Sequence, residues 1–532
     1  MKRVQPLLCF SNYGSDDLLP FARSVGMQCR ESFLRKLGAE QYRLDETVEL
    51  LRRNGTCALF SGATLEVTYF SEELSDVVPL LKGYCGVGDY QRIHDQLCQR
   101  FLGVAADEPS VQLPQFWLLL SALLQLGFLS KADPSPSSQA PPETRVNTCS
   151  GLMILPTLTC NYRCDYCYHR NLDPALGLGR VLSSEQARRG IDYFLANTSV
   201  PKDVVRSIRV TGGEPTLHYE LVSDILDYAA EIRRRDPTLA PFKLTMVTNG
   251  ALLDERWIAL IKAHDLGIAV SLDGRQPRND LRRKSLTGSA YLRTAAGIRR
   301  LVAAGVKPTV IATISSHNIG SIADDIAWIF EELQPDAFSL NLDTSDVAPY
   351  RLSPAQFATG IIEAYDELSY RGLFDSKVIK LSQRFRSKRA AITGCGGVFS
   401  QIVLFPDGSI GPCPYLTGTS ERMAMEERQA LGTSALFERW ATYNYALNST
   451  CQRCNYRYIC SGWCPAVSLQ FIGKLSEPTD HTCLYTKRLI EWLIWYDFEQ
   501  MLREQAEPRL VVPAATEGVG LEPAAKEKPC PT

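Results

Sequence analysis

Cys160-Asn161-Tyr162-Arg163-Cys164-Asp165-Tyr166-Cys167 is the stretch on which the reading of the chain turns. It follows an apolar run, residues 152–158, that reads as a buried strand, and it precedes a polar loop and a helical stretch from about Ser183. Three thiols spaced C-x3-C-x2-C therefore sit in a loop at the carboxyl end of a strand, where α/β folds place their chemistry. Three thiolates can hold three irons of a cubane [4Fe–4S] cluster and leave the fourth iron open to a small molecule. Two blander readings stand beside this one. Zinc is possible, but it prefers four ligands and C-x2-C pairs. Buried core thiols are possible, but Asn161, Arg163 and Asp165 between them make a poor core.

The whole chain sets limits. Its 532 residues leave room for two to four domains. With 45% apolar and 22% charged residues it has the balance of a globular protein. The formal charge of −2 gives no global basic field to attract nucleic acid. No apolar run is long enough to span a membrane, and Met1-Lys2-Arg3 opens no clear signal peptide, so a cytoplasmic location is expected. In such a protein 17 cysteines point to metal or cluster ligation rather than disulfides. Ten fall into two motif groups. The other seven, Cys9, Cys29, Cys57, Cys85, Cys98, Cys149 and Cys530, are scattered and read as buried or idle thiols.

After the cysteine loop, short apolar strands at 207–210, 243–247, 268–271, 307–314 and 338–341 alternate with helical stretches near 184–197, 219–235, 254–265, 289–304 and 321–333. This repeat predicts an α/β fold with a parallel sheet covered by helices. Strand ends carry site candidates. Gly212-Gly213-Glu214-Pro215 combines glycines that let backbone approach a ligand with a carboxylate, although a plain strand–helix turn explains it too. Thr248-Asn249-Gly250 reads equally as a turn. Ser271-Leu272-Asp273-Gly274 follows the next strand, and Asp273 there can bond backbone instead of ligand. Arg283 in Asn279-Asp280-Leu281-Arg282-Arg283 offers a fork for a carboxylate, or a solvated charge. Thr313 and Asn318 follow the fifth strand.

The cysteine stretch resembles the signature of the radical S-adenosylmethionine (radical SAM) superfamily, C-x3-C-x-aromatic-C, with Tyr166 in the aromatic place; the resemblance extends over roughly residues 149–490. It implies a partial (β/α)6 barrel and an iron chelated by S-adenosylmethionine, from which one-electron cleavage leaves a 5′-deoxyadenosyl radical. Cys160, Cys164 and Cys167 are then the catalytic cluster ligands. Tyr166, Gly212, Gly213, Glu214, Asn249, Ser271 and Arg283 are the expected S-adenosylmethionine contacts, with the carboxylate of Glu214 on the amino group and Ser271 on the ribose; Thr313 and Asn318 are guesses for the adenine pocket. The segment departs from the family's His-Asp-x-x-Arg pattern in carrying Asn279 first.

The second group of cysteines lies near the carboxyl end: Cys395, Cys413, Cys451, Cys454, Cys460, Cys464 and Cys483, with a hairpin expected at Pro406-Asp407-Gly408. Cys451 and Cys454 alone look like half a zinc site. The whole series is similar to the Cys-rich SPASM extension of radical SAM enzymes. That resemblance implies two auxiliary iron–sulfur clusters, the first on Cys395, Cys413 and Cys464 and the second on Cys451, Cys454, Cys460 and Cys483. Some relatives carry an eighth cysteine just before the one that matches Cys395; this chain has none in residues 387–394. The first auxiliary site thus has an open iron, a non-cysteine ligand, or a smaller cluster.

Residues 1–130 read as strands at 56–60 and 64–70, then helices from Ser71, over 90–101 and over 115–126. This order resembles the winged-helix-like domain with which peptide-modifying enzymes hold a leader peptide, added as a strand at a sheet edge. A DNA-binding winged helix is disfavoured by the few basic residues; a structural cap is the plain alternative. A Pro/Ser-rich linker at 131–148 is expected to tether this module without fixing its angle. The remaining expected parts are the barrel at 149–345, a helical bridge at 346–389, the SPASM region at 390–490, and a carboxyl-terminal helix, read at 485–504, with a disordered tail within 491–532. The resemblance thus implies a maturase of a ribosomally synthesised precursor peptide that forms a C–S or C–C cross-link. Its expected partners are that peptide and an electron donor such as flavodoxin or ferredoxin, with no nucleic acid or membrane. Formylglycine formation on a protein Cys or Ser, and a non-catalytic iron–sulfur or peptide-binding protein, are the alternatives.

Overall fold

The structure is a computed structural model, and it describes residues 10–11, 27–102, 114–131, 149–171, 179–198, 200–345, 349–387, 395–416, 421–425, 434–460 and 462–506. The linker at 132–148 and the tail from 507 lie outside these residues, as do Cys9 and Cys530 and the side chain of Cys29.

In the amino-terminal part, β1 (Phe10–Ser11), β2 (Tyr42–Leu44), β3 (Val48–Arg53), β4 (Thr56–Ser61), β5 (Val67–Ser71) and β6 (Leu129–Lys131) form two antiparallel sheets, ordered β1-β5-β4-β3 and β2-β6. Helices Val87–Leu102 and Pro114–Gln125 appear as expected, and Gly127 at φ 73° turns the chain out of the second. Strands β1, β2 and β6 were not expected, and three further elements differ from the expectation. Helix Met27–Leu37 lies in a stretch without clear periodicity, and β3 was hidden by its charged residues. The helix expected from Ser71 is only a 3-10 turn, Glu72–Leu74, and a short helix, Val77–Leu80, which contains Pro79.

The central strands are β7 (Gly151–Ile154), β8 (Ser207–Val210), β9 (Lys243–Thr248), β10 (Gly267–Ser271), β11 (Thr309–Ile314) and β12 (Ala337–Leu342), all parallel to their neighbours. Helices Ser184–Asn197, Tyr219–Arg235, Glu255–Ala263, Ala290–Ala303 and Ile322–Leu333 alternate with them. The first is started by a reciprocal cap between Ser183 and Gln186. Strand β7 is shorter than the run 152–158, because Pro156 has no N–H to continue the ladder. Helix Gln276–Arg282 was not foreseen in its polar sequence.

The sheet does not stop at β12 and β7. Beyond β7 come β13 (Gln401–Leu404), parallel to it, and β14 (Ile410–Gly411), antiparallel to β13, giving the order β12-β11-β10-β9-β8-β7-β13-β14. The hairpin expected at Pro406-Asp407-Gly408 is thus present, with Gly408 at φ 83°, and it extends the central sheet. The last helix runs over Asp480–Ala506, beginning before the expected 485.

The tethered-module expectation needs correction. Strand β4 is buried on both faces: Cys57 and Leu59 pack with the module's own helices, while Ala58 and Phe60 pack with Tyr69, Phe385, Tyr456, Ile459, Ile490, Ile494 and Trp495. Tyr69 Oη donates to Ile494 O at 2.7 Å, Arg53 pairs with Glu499 at 3.2 Å, and Asn455 donates to Glu49. Burial of a shared apolar layer holds the module's sheet on the carboxyl-terminal helix, whatever the linker does.

Candidate active site

The six carboxyl ends of β7 to β12 face one side of the sheet, and the loops that follow them carry the site. Gly212 and Gly213 lie against the chain leaving β7. A Cβ on Gly213 would stand 2.1 Å from Thr159 O, and one on Gly212, at φ 126°, would stand 2.5 Å from Thr157 O. Gly213 N donates to Thr157 O and Glu214 N to Thr159 O, both at 2.9 Å, which pins the base of the cysteine loop.

Glu214 is buried and its carboxylate is engaged by the protein. Oε1 accepts from Thr216 N at 3.1 Å and from the hydroxyls of Thr216 and Thr248, both at 2.6 Å; Oε2 accepts from Asn249 N at 2.8 Å. Burial pushes this carboxyl up, and the four donors pull against that shift. Glu214 thereby joins the ends of β8 and β9. Asn249 carries the link on to the cysteines, donating from Nδ2 to Asn161 Oδ1 at 2.7 Å, with Cys160 Sγ at 3.8 Å. Ser271 is the last, half-buried residue of β10. Thr313 N donates to Asp273 Oδ1 at 2.9 Å, and Asn318 Nδ2 donates to Thr313 O at 2.8 Å, so Asn318 shapes the turn after β11.

Two adjacent arginines hold the cysteine loop from its other side. Arg283 Nε lies 3.1 Å from Asp273 Oδ2, with both side chains buried, and Nη1 is 4.0 Å from Cys164 Sγ. Burial disfavours the guanidinium charge, but Asp273, Tyr166 and Cys164 more than offset this, so its pKa is raised. Tyr166 donates its hydroxyl to Asp273 as well, which directs the motif's aromatic ring into this cluster. Arg282, fully buried, donates from Nε to Asp165 Oδ1 at 2.7 Å and from Nη1 to Asp343, after β12; its guanidinium lies 4.1 Å from the centre of the Tyr350 ring. Sequence reasoning missed Arg282, Asp165 and Asp343. The Arg-Arg pair was the available signal, but that both arginines turn inward depends on the unforeseen helix Gln276–Arg282, which ends at them.

The thiols gather in three places. Burial raises Cys160 to about 11 and Cys164 to about 12, and Cys167 opposes the charge of each. Cys413 is pushed up by burial, then by Cys464 and Cys395. Cys451 is raised to about 12 by burial, then by Cys460, Cys483 and Cys454. Burial also raises Cys460, to about 11, with Cys483 and Cys454 adding to it. A buried group of thiols that oppose one another's ionisation suits a cationic iron centre, which favours the thiolates. Among the described residues no three His, Cys, Asp or Glu side chains are grouped as ligands of a single metal ion; cubane ligands each take a different iron. Four of the scattered cysteines, Cys57, Cys85, Cys98 and Cys149, are buried as expected. Between the first two thiol groups, Tyr168 stacks on Tyr415 with ring centres 3.8 Å apart and planes at 15°.

Comparison with known proteins bears on this geometry. Residues 154–347 match the Radical SAM superfamily. The chain is 23% identical over 333 residues to the serine-type anaerobic sulfatase-maturating enzyme of Klebsiella aerogenes, covering 58% of this chain and 77% of that one. It is 32% identical over 180 residues to the GTP 3′,8-cyclase of Aeromonas hydrophila subsp. hydrophila, covering 32% of this chain and 48% of that enzyme. Among solved structures, anSMEcpe with bound AdoMet and the Cp18Cys peptide aligns with a TM-score of 0.57 at 18% identity, covering 66% of this chain and 99% of that one; this likeness is one of fold. Among the described residues no helix is long and apolar enough to cross a membrane. The cysteine loop thus lies at the carboxyl edge of a parallel sheet, inside the segment that matches the Radical SAM superfamily, and like the relatives it is similar to the protein is an enzyme.

Proposed function

We propose that this enzyme matures a ribosomally synthesised precursor peptide by oxidative formation of a C–S or C–C cross-link. The observation that carries the peptide reading is the amino-terminal antiparallel sheet. It is held on the carboxyl-terminal helix beside the thiol groups, and its terminal strand β3 offers six residues of edge with β4 on one side. A peptide added as a strand there gains main-chain hydrogen bonds without a sequence-specific pocket.

Cys160, Cys164 and Cys167 would hold a [4Fe–4S] cluster, Cys395, Cys413 and Cys464 a first auxiliary cluster, and Cys451, Cys454, Cys460 and Cys483 a second. S-adenosylmethionine held at the first of these would supply hydrogen-atom abstraction from a substrate carbon. The residues of the chain frame that event. Gly212 and Gly213 keep the floor of the site free of side chains, Asn249 and Arg283 steady Cys160 and Cys164, and Glu214 locks two strand ends together. Tyr166, Gly212, Gly213, Glu214, Asn249, Ser271 and Arg283 remain the proposed contacts for S-adenosylmethionine. A flavodoxin- or ferredoxin-type donor would supply the reducing electron.

The kinship with sulfatase-maturating enzymes favours a second reading, formylglycine formation on a protein Cys or Ser. One experiment separates them: anaerobic incubation of iron-loaded enzyme, S-adenosylmethionine and reductant with a candidate precursor peptide. Loss of two hydrogens together with a link that resists fragmentation supports the cross-link. A product trapped by a hydrazide is an aldehyde and replaces that reading with the second. Fully loaded enzyme that releases no 5′-deoxyadenosine sinks both.

A further inference from the structure

We propose that the stacked pair Tyr168–Tyr415 is the electronic contact between the iron–sulfur site of Cys160, Cys164 and Cys167 and that of Cys395, Cys413 and Cys464. The inference rests on the cluster assignment of the preceding section. Tyr168 directly follows Cys167, and Tyr415 stands two residues after Cys413, so each ring belongs to the chain segment that carries one of the two thiol groups. The rings meet nearly face to face, 3.8 Å between centres at 15°. The phenol of Tyr168 lies within electrostatic reach of Cys167 and Cys413, and that of Tyr415 within reach of Cys464, Cys413 and Cys167. One contact thus reaches thiols of both groups.

Packing alone is a weak account of this pair. Tyr415 keeps 40% of its surface open, so the stack is not a contact sealed inside a core. A side chain chosen only to fill space there could be any apolar residue, whereas two near-parallel stacked rings need both partners aromatic. Electrons tunnel more readily across atoms in van der Waals contact than across a solvent gap, and face-to-face π systems make such a contact broad. The step balances simply. A reduced iron–sulfur site on one side loses one electron and the oxidised site on the other gains it; no bond forms or breaks, and no proton leaves either phenol. The initial reducing electron comes from a low-potential one-electron donor.

The test uses the full iron-loaded chain and its Tyr415→Phe, Tyr415→Leu and Tyr168→Leu variants. Iron and sulfide per chain are measured first. A flash-generated reductant then delivers electrons, and rapid freezing with electron paramagnetic resonance follows their redistribution. The two sites are told apart by adding S-adenosylmethionine, which perturbs the site of Cys160, Cys164 and Cys167, where it is proposed to bind. Expected is a fast redistribution phase in wild type and in Tyr415→Phe, and loss of that phase in both leucine variants at unchanged iron content. A fast phase that survives in the leucine variants overturns the inference. So does its loss in Tyr415→Phe, because the ring is then insufficient. Iron loss in both leucine variants also overturns it, since the pair would then hold the sites rather than couple them. A wild-type chain with one iron–sulfur signal overturns the cluster assignment itself, a failure distinct from unchanged transfer between two signals.

Discussion

Replacing Arg283 by methionine tests how the cysteine loop is held. Asp273 is fully buried, and its carboxylate has three partners: Thr313 N on Oδ1, and the Tyr166 hydroxyl and the Arg283 guanidinium on Oδ2. Arg283→Met leaves two neutral donors on a buried anion. Breaking a buried pair by removing one partner costs about 3–5 kcal/mol, and the surviving hydrogen bonds put the expected loss near the low end, about 3 kcal/mol. That is a large share of a typical domain stability of about 5–15 kcal/mol. Neutralising the stranded partner should restore part of it, so Arg283→Met combined with Asp273→Asn is expected to be more stable than Arg283→Met alone, with a coupling of about 1–3 kcal/mol. The assay is urea unfolding of the iron-free chain followed by tryptophan fluorescence, for wild type, both single variants and the double. A cost below about 1 kcal/mol for Arg283→Met, or a double variant no more stable than it, refutes the argument that Asp273 depends on this charge. Iron uptake gives a second readout: Tyr166 and Cys164 both lean on Arg283, so the single variant should load less iron at equal chain concentration.

Other expectations follow from single contacts. Gly213→Ala puts a Cβ 2.1 Å from Thr159 O; overpacking of this kind costs about 1–3 kcal/mol, and S-adenosylmethionine binding by calorimetry should weaken, whereas unchanged affinity would mean that the loop adapts freely. Gly62→Ala puts a Cβ 2.1 Å from Asn455 O in the contact between the amino-terminal sheet and the carboxyl-terminal region, so proteolytic cleavage between the two should accelerate; wild-type resistance would show that the apolar layer alone suffices. Cys57 is raised to about 11 by burial, so at pH 8 only about one thiol in a thousand is ionised. Mass spectrometry after iodoacetamide treatment should find it unmodified until urea unfolds the chain, and labelling at the rate of a free thiol would contradict that burial.

Much of the site was legible because its chemistry is local. Cysteine spacing is a property of the chain itself, and so is the βα alternation, whose strand and helix positions needed only small adjustment. The hairpin at Pro406-Asp407-Gly408 was readable for the same reason, since a turn is decided by the residues in it. The run Cys57-Ala58-Leu59-Phe60 also held an unread signal: four consecutive apolar residues in a strand imply burial on both faces, and hence a partner for the outer one.

By itself, then, the sequence determined the parallel βα unit, the cysteine loop at its carboxyl edge and the glycines beneath that loop, because periodicity, turn chemistry and ligand spacing all act over a few residues. Only the tertiary structure decided what lies across a distance. It joined β13 to the edge of β7, turned Glu214 onto Thr248 and Asn249, set Arg282 between Asp165 and Asp343, docked the amino-terminal sheet on the last helix, and brought Cys413 within electrostatic reach of Cys395 and Cys464, and Cys451 of Cys454, Cys460 and Cys483. Those pairings follow from which buried charges and apolar faces meet once the chain is compact, and partners far apart in sequence leave no local pattern to read.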